Sequence, residues 1–411
     1  MKEFIHDPRL PIHEKIPWTQ YGYYLSERPS FTFDPLFHAG CYYVQEASSM
    51  FLEQALKQTV DLSKPIKVLD LCAAPGGKST HIHSLISKNS LLVSNEVIRS
   101  RVNILKDNII KWGCDNVVVT NNDPKDFGKL ENYFDVIVID APCSGSGLFR
   151  RDPGAIDEWS EGNVQLCSQR QQRIVADVWP ALKKDGILIY STCSYSKEED
   201  EEIVDWMMKE LSIACCQLSI DANWGIVDTG KGYRFWPDKL KGEGFFLSVL
   251  RKTEGDERSD AYKTKSKVEK LTVKEMRLIE PWVDTEHWSF VKNKDTVYAW
   301  KKELMDDFDF LIEQLHVVYS GVLVGEMMRD KLVPDHALAM SPVVSDTIGR
   351  IQLSHDQAIA YLQKKDIKLD TGLKGWDLVT TDNDQPLGWV NILPNRVNNY
   401  YPKSLRILKD R

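Results

Sequence analysis

The chain has 411 residues, of which 42% are hydrophobic and 27% are charged, and its formal net charge is −8. This length allows two or three domains, and the composition is typical of a soluble globular protein. No apolar stretch approaches the ~20 residues that cross a bilayer, and the N-terminus lacks the pattern of a secretory signal. We therefore expect a cytoplasmic protein without a membrane partner.

The cysteines and the distribution of charge narrow the class of protein. The eight cysteines are scattered and form no Cys-x-x-Cys pair, which argues against a zinc or thioredoxin-type site, and we expect no bound metal. The net negative charge argues against a nucleic-acid partner. Residues 396–411, however, hold five basic residues and one acid, and residues 260–275 hold five lysines and three acids. Local patches suffice for phosphate contacts, so RNA or DNA stays possible.

Predicted strands and helices alternate through the first 250 residues. Prolines make residues 1–45 irregular, and a helical pattern follows near Ala47–Leu56. Buried strands are predicted at Lys67–Leu71, Leu91–Asn95, Val117–Thr120, Asp135–Asp140, Gly186–Ser191 and Phe245–Leu250. Helices are predicted at Gly77–Leu85, Val97–Trp112 and Gly162–Leu182, with another from Glu198. This alternation indicates an α/β fold with a mostly parallel, doubly wound sheet.

The composition changes after Arg251, and this change divides the chain. Residues 252–270 are polar and charged, as in a domain linker. Farther on, short β-rich segments at 376–381 and 388–393 flank a turn and indicate a small β-barrel-like module. We predict four parts: an irregular segment (1–45), an α/β domain (46–253), a linker and connecting region (254–315) and a C-terminal α+β domain (316–411).

The loop after the first strand has the composition of a cofactor site. Its sequence, Asp70-Leu-Cys-Ala-Ala-Pro-Gly-Gly-Lys78, is rich in small residues that let a ligand approach the backbone. It opens a helix, whose N-terminus offers free N–H groups and the positive end of the helix dipole. The GxGxxG fingerprint is absent, which argues against the alternative of a nicotinamide dehydrogenase.

Acidic residues follow the next three strands: Glu96 the second, Asp123 the third and Asp140 the fourth. An acid after the second strand can hold ribose hydroxyls, and one after the third is placed to meet an adenine amino group. The series predicts a site for an adenosine-containing cofactor held across the sheet. The alternative is that these acids are turn and helix-capping residues.

Two cysteines, Cys143 and Cys193, follow the fourth and fifth strands, where open α/β sheets place their chemistry. Free cysteines are usually small buried hydrophobes. That interpretation suits Cys72, Cys114, Cys167, Cys215 and Cys216. Thiols at strand ends, beside a carboxylate and a glycine-rich turn, instead suggest covalent catalysis.

Three motifs, Asp70–Lys78, Asp140-Ala-Pro-Cys143-Ser-Gly and Ser191-Thr-Cys193-Ser, together resemble the NOP2/Sun family of RNA cytosine-5 methyltransferases. The resemblance covers roughly residues 40–250 and implies a class I, Rossmann-like S-adenosylmethionine (SAM) methyltransferase domain. It implies SAM contacts from Cys72, Ala73, Ala74, Pro75, Gly76, Gly77, Lys78, Glu96, Asp123 and Asp140. It also implies that Cys193 is the nucleophile, that Cys143 aids product release and that Asp140 hydrogen-bonds the cytosine ring.

Other segments resemble parts of the same family that contact RNA. Arg150 and Arg151, in the segment after Cys143, are suited to phosphates, although a solvated turn is the alternative. The C-terminal region resembles the bacterial 16S rRNA branch of this family in three segments, 335–340, 388–390 and 399–406. This implies a C-terminal PUA-like RNA-binding module in which Lys403 and Arg406 contact phosphate; a solvated basic tail is the alternative.

The leading interpretation is a monomeric SAM-dependent methyltransferase that modifies C5 of a cytosine in RNA, with 16S rRNA or the small ribosomal subunit as partner. A tRNA substrate remains an alternative, because the PUA-like resemblance is an analogy. The alternative from another class is an RNA-binding ribosome assembly factor that keeps the fold without turnover. The presence of Cys193, Cys143 and Asp140 argues against it.

Overall fold

The computed structural model describes residues 11–255, 268–369, 372 and 374–410. The first elements are β1 (Ile12–Lys15), β2 (Tyr23–Leu25), α1 (Pro35–His38) and α2 (Leu52–Thr59). Because β1 and β2 form an antiparallel pair, the irregular segment expected at 1–45 contains a small sheet. Buried Glu53 accepts hydrogen bonds from Thr19 Oγ1 (2.8 Å) and from the Gln20 backbone N–H (2.9 Å), and these bonds fasten the segment to α2.

The α/β region that follows is built on one large sheet. Its strands in chain order are β3 (Lys67–Asp70), β4 (Leu91–Asn95), β5 (Val117–Thr120), β6 (Phe134–Asp140), β7 (Leu182–Thr192), β8 (Ile213–Cys215), β9 (Val227–Asp228), β10 (Tyr233–Phe235) and β11 (Phe245–Lys252). The strand order β5-β4-β3-β6-β7 is parallel throughout, whereas β11 joins β7 antiparallel and also pairs with β8 and β10. The six predicted strands and the mostly parallel sheet are confirmed.

Helices cover both faces of this sheet. They are α3 (Gly77–Leu85), α4 (Arg99–Trp112), α5 (Pro124–Phe127), α6 (Gly154–Glu158), α7 (Glu161–Val178) and α8 (Glu201–Glu210). Strand side chains alternate between two cores: Val68 and Val136 enter one, and Leu69 and Ile137 enter the other. Central strands that are buried on both faces read as continuous apolar runs, which is why the sequence located them well.

A second, antiparallel sheet follows. The elements of this part are β12 (Glu269–Lys270), α9 (Val273–Ile279), β13 (Trp288–Asn293), β14 (Thr296–Lys301), α10 (Met305–Gln314), β15 (Val317–Ser320), β16 (Val322–Met328), β17 (Lys331–Pro334) and α11 (His336–Ala339). The sheet has the order β12-β13-β14-β16-β17. The region 254–315, predicted as linker and connection, therefore holds the β13–β14 hairpin. The predicted boundary at 316 is no structural division, because β15 pairs antiparallel with β5 of the large sheet.

The C-terminal part is a four-stranded mixed sheet. Its elements are β18 (Arg350–Gln352), α12 (His355–Leu362), β19 (Gly375–Thr380), β20 (Pro386–Leu393) and β21 (Arg396–Asn399). The strands lie in chain order, with β18 parallel to β19 and the other pairs antiparallel. Buried Trp389 joins the core of the second sheet and donates its indole N–H to the Asp335 carbonyl at 2.7 Å. Within the described ranges, none of the helices combines the length and apolarity needed to cross a bilayer.

Candidate active site

Two thiols meet at the carboxyl edge of the large sheet. Strands β6 and β7 are parallel neighbours, and Asp140 on β6 is paired in register with Ser191 on β7. Cys143 and Cys193 follow these two strand ends, and their Sγ atoms lie 3.0 Å apart as free, half-buried thiols. A single substrate ring can therefore face both sulfur atoms.

An ion pair lies beside the thiols. Lys78 Nζ is 2.6 Å from Asp140 Oδ2, and the Ser191 hydroxyl donates to Asp140 Oδ1 at 2.9 Å. The Asp140 side chain is 36% exposed, so a substrate can reach it. Lys78, which the sequence analysis placed among the cofactor contacts, thus also belongs to the surroundings of the thiols.

The two thiols are electrostatically unequal. The hydrogen bond between the two thiols lowers the pKa of Cys193; burial and the nearby Asp140 carboxylate raise this pKa, and Lys78 lowers it. The pKa of Cys143 is raised well above its ordinary value by the same hydrogen bond and by burial. Cys193 is consequently the thiol better prepared to act as a thiolate nucleophile.

The loop predicted to contact the cofactor lies between β3 and α3. The Ala73 N–H donates to the Asn95 carbonyl at 2.8 Å, and Arg101 donates to the Ala74 carbonyl at 2.6 Å. A Cβ on Gly77 would lie 3.0 Å from the ring of Tyr43, so only glycine fits there without displacing that ring. Burial raises the pKa of Cys72, which keeps this thiol neutral.

The acids predicted for the cofactor stand at neighbouring strand ends. Glu96 follows β4, and its Oε1 accepts the Ile98 N–H at 2.8 Å; Asp123 follows β5, and its Oδ1 accepts the Lys125 N–H at 3.2 Å as the N-cap of α5. One oxygen of each acid thus caps a turn or a helix, as the alternative interpretation expects. The second oxygen of each acid faces an arginine: Arg101 lies 3.4 Å from Glu96 Oε2, and Arg173 lies 4.0 Å from Asp123 Oδ2.

A fourth acid, Asp70, lies between these groups and was missing from the predicted set. It ends β3 and is fully buried, and it accepts the Ser79 hydroxyl at 2.6 Å through one oxygen. Its other oxygen has no hydrogen-bond partner within the described ranges. Burial raises the pKa of Asp70 to about 7. Its position as the last residue of a strand before a glycine-rich loop was the available signal.

Three family models match the chain in succession. The first, for the 16S rRNA methyltransferase RsmB/F, covers residues 57–251; the others cover the N-terminal domain (4–47) and the PUA domain (349–407) of RsmF. The ribosomal RNA small subunit methyltransferase F of Cronobacter sakazakii is 30% identical over 405 residues, which cover 95% of this chain and 84% of that protein. The chain belongs to the RsmB/F family of 16S rRNA methyltransferases. It is therefore a SAM-dependent RNA methyltransferase.

Two more proteins are similar to this chain. The Shewanella piezotolerans protein of the same name is 29% identical over 412 residues, which cover 97% of this chain and 86% of that protein. The protein in the crystal structure of PH0851 is 25% identical in sequence, and its structure matches with a TM-score of 0.55. The match covers 61% of this chain and 56% of that chain. The resemblance proposed from the motifs is confirmed, and the predicted PUA-like module corresponds to the sheet of β18–β21.

The arginines predicted to contact RNA lie at a cavity in this RsmB/F methyltransferase. Arg150 and Arg151 line a space of about 520 Å³, together with several aromatic side chains. These are Tyr21, Tyr23, Tyr24, Phe31, Tyr42 and Tyr43. Lys403 and Arg406 are exposed on the C-terminal part and do not line this cavity.

Proposed function

We propose that this methyltransferase modifies C5 of a cytosine in 16S rRNA through a covalent bond between Cys193 Sγ and C6 of the base. The observation that carries the proposal is the pair of thiols 3.0 Å apart, of which one donates to the other. A methyltransferase that acts on a base nitrogen needs no thiol. Two thiols in contact suit a reaction with separate addition and elimination steps.

The chemistry of cytosine explains why a thiol is needed. C5 of the ring is a weak nucleophile, and addition of the Cys193 thiolate to C6 converts the ring into a more reactive enamine. SAM, when bound, supplies the electrophilic methyl group. Asp140, held by Lys78 and Ser191, is placed to hydrogen-bond the ring as charge moves onto it. Once Cys193 is bound to C6, Cys143 loses its proton to solvent and its thiolate accepts the C5 proton. The C6–S bond then breaks, and Cys193 leaves as a thiolate.

The loop between β3 and α3 suits the SAM molecule. Its small residues permit close approach, the N-terminus of α3 provides free N–H groups, and the unpaired oxygen of buried Asp70 remains to be satisfied. Glu96 and Asp123 would hold the ribose hydroxyls and the adenine amino group. We assign SAM binding to these acids together with Asp140 and residues 72–78.

The cavity near Arg150 and Arg151 supports an approach path for unpaired RNA. Aromatic rings can stack on bases and guanidinium groups can contact phosphates, and a target base must leave its stack to reach the thiols. Lys403 and Arg406 would add phosphate contacts from the PUA domain. We further propose that the protein acts as a monomer in the cytoplasm, on 16S rRNA or the small subunit.

The test is transfer of labelled methyl from SAM to small-subunit particles and to naked 16S rRNA, with wild type, Cys193→Ala and Cys215→Ala compared. Cys215 lies on β8, away from the thiol pair, and serves as the matched control. We expect label on a cytosine with wild type and Cys215→Ala only. Full turnover by Cys193→Ala would end the assignment of the nucleophile.

The same assay separates the alternative functions. Label on tRNA but on neither ribosomal substrate would identify tRNA as the substrate and leave the proposed chemistry unchanged. SAM binding without transfer to any RNA would favour the non-catalytic assembly factor. Bisulfite sequencing of the methylated RNA, in which 5-methylcytosine resists deamination, identifies the modified position.

A further inference from the structure

A buried acid joins the two cysteine loops. Glu199 lies in the short 3₁₀ turn Lys197–Glu199 after β7, and its side chain is fully buried. Its Oε1 accepts the Ser144 backbone N–H at 2.8 Å and the Gln171 amide at 3.3 Å. Its Oε2 accepts the Ser144 hydroxyl at 2.5 Å and the Ser194 hydroxyl at 2.6 Å.

The donors have a common position in the chain. Ser144 directly follows Cys143, and Ser194 directly follows Cys193. The carboxyl group of Glu199 therefore accepts hydrogen bonds from the residue after each thiol, although the two loops are separated by about fifty residues in sequence. Gln171 on α7 also donates to the Pro142 carbonyl at 3.1 Å, which holds the first loop from the other side of Cys143.

We propose that Glu199 is a positioning residue that sets the contact between the two thiols and keeps the shared proton on Cys143. The proposal rests on the function proposed above for these cysteines. Glu199 itself touches neither substrate nor cofactor; it acts through Ser144 and Ser194. Other bonds also join the loops, because the Gly147 N–H donates to the Cys193 carbonyl at 2.7 Å and the Tyr195 N–H to the Ser146 hydroxyl at 2.8 Å. Loss of this acid would therefore release Ser144 and Ser194 and leave the loops linked through these other bonds.

The hydrogen bonds indicate that the group is ionised. An ionised carboxyl group only accepts, which suits the two N–H groups at Oε1 and the two serine hydroxyls that donate to Oε2. Within the described ranges no lysine, arginine or histidine forms an ion pair with it. The negative charge therefore acts on its surroundings without local neutralisation.

This charge acts on one thiol more than on the other. The pKa of Cys143 is raised by its hydrogen bond to Cys193 and by burial, and Glu199 adds to that rise. Lys78 acts in the opposite direction on Cys193. Asp140, which is paired with Lys78, raises the pKa of Cys193, so the cation is offset there. The Glu199 carboxylate is the charge that favours a proton on Cys143.

The test compares Glu199→Gln with Glu202→Gln, which makes the same change on an exposed residue of α8. Alkylation of each cysteine by iodoacetamide is followed against pH by peptide mass spectrometry. We expect Glu199→Gln to shift Cys143 alkylation to lower pH and to reduce the preference for Cys193. The single-turnover methylation rate should fall by roughly ten- to a hundredfold, because small displacements of reacting groups cost this much in rate. The SAM affinity should stay unchanged. Glu202→Gln should match wild type in both assays.

Two further variants keep the test decisive if Glu199→Gln does not fold. Ser144→Ala and Ser194→Ala each remove one hydroxyl tether and leave the carboxyl group in place, and both should weaken the preference for Cys193. Wild-type alkylation profiles in all folded variants would overturn the proposal. If the wild type methylates no RNA, the proposed function fails, whereas the alkylation profiles still decide the role of Glu199.

Discussion

The candidate site lies along the carboxyl edge of the large sheet, and its two ends are built differently. The thiol end follows β6 and β7, and the acid end follows β4 and β5. After β6 and β7, contacts join loops distant in sequence: Cys143 and Cys193 are 50 residues apart, and Ser144 and Glu199 are 55 apart. After β4 and β5, Glu96 and Asp123 each bond a backbone N–H only two residues farther on. The thiol pair therefore depends on the assembled sheet, whereas one oxygen of Glu96 and one of Asp123 are each held by the turn that follows the acid.

This difference predicts how each end responds to substitution. A change at the thiol end should alter chemistry, because groups from several loops define the reacting geometry. A change at the acid end should alter cofactor affinity, because each acid holds its own turn and contributes one set of ligand contacts. Three variants test this division, in order of decreasing effect.

The largest effect is expected from Cys143→Ala. Without this thiol the C5 proton leaves slowly, so the Cys193–cytosine bond persists and turnover falls by at least about a hundredfold, the typical contribution of acid–base groups. Denaturing gels should show a protein–RNA adduct that requires SAM. Cys215→Ala is the control and should show no such band, and a Cys143→Ala sample without a SAM-dependent band would contradict the assigned role.

A smaller effect is expected from Lys78→Met. Lys78 lowers the pKa of Cys193, so its removal raises that pKa and reduces the thiolate fraction at neutral pH. One pKa unit would reduce the rate roughly tenfold at pH 7, and the rate should recover as pH rises. Single-turnover rates between pH 6 and pH 9, compared with Lys78→Arg, measure the shift. A pH profile that keeps its wild-type midpoint would show that Lys78 does not act on the thiol.

The smallest effect on chemistry is expected from Glu96→Gln. The lost carboxylate should weaken SAM binding by roughly ten- to a hundredfold, in line with hydrogen bonds to charged groups, while the rate at saturating SAM stays close to wild type. Calorimetric titration with SAM measures the affinity, and Asp306→Asn, at an exposed residue of α10, is the control. A lower rate at saturating SAM with unchanged affinity would break the division between the two ends.

The same division explains what the sequence could predict. The strands, the cofactor loop and both cysteines were located because apolar runs end directly before them. Glu199 lies in the charged run Lys197–Glu202, which resembles the exposed start of a helix, and only loops folded from 55 residues away bury it. β15 is as short as β5, which was predicted, but nothing in its own four residues shows that its partner strand lies roughly two hundred residues earlier.

The pairing of β15 with β5 also has a consequence for synthesis of the chain. The large sheet gains its edge strand only after the ribosome has added roughly two hundred residues beyond β5, which takes about 10 to 40 seconds at bacterial elongation rates. During that interval the backbone groups of β5 form an open edge, the kind that recruits strands from other chains. A nascent polypeptide that stops near residue 255 would keep this edge, so premature termination should yield an aggregation-prone product instead of a compact catalytic fragment.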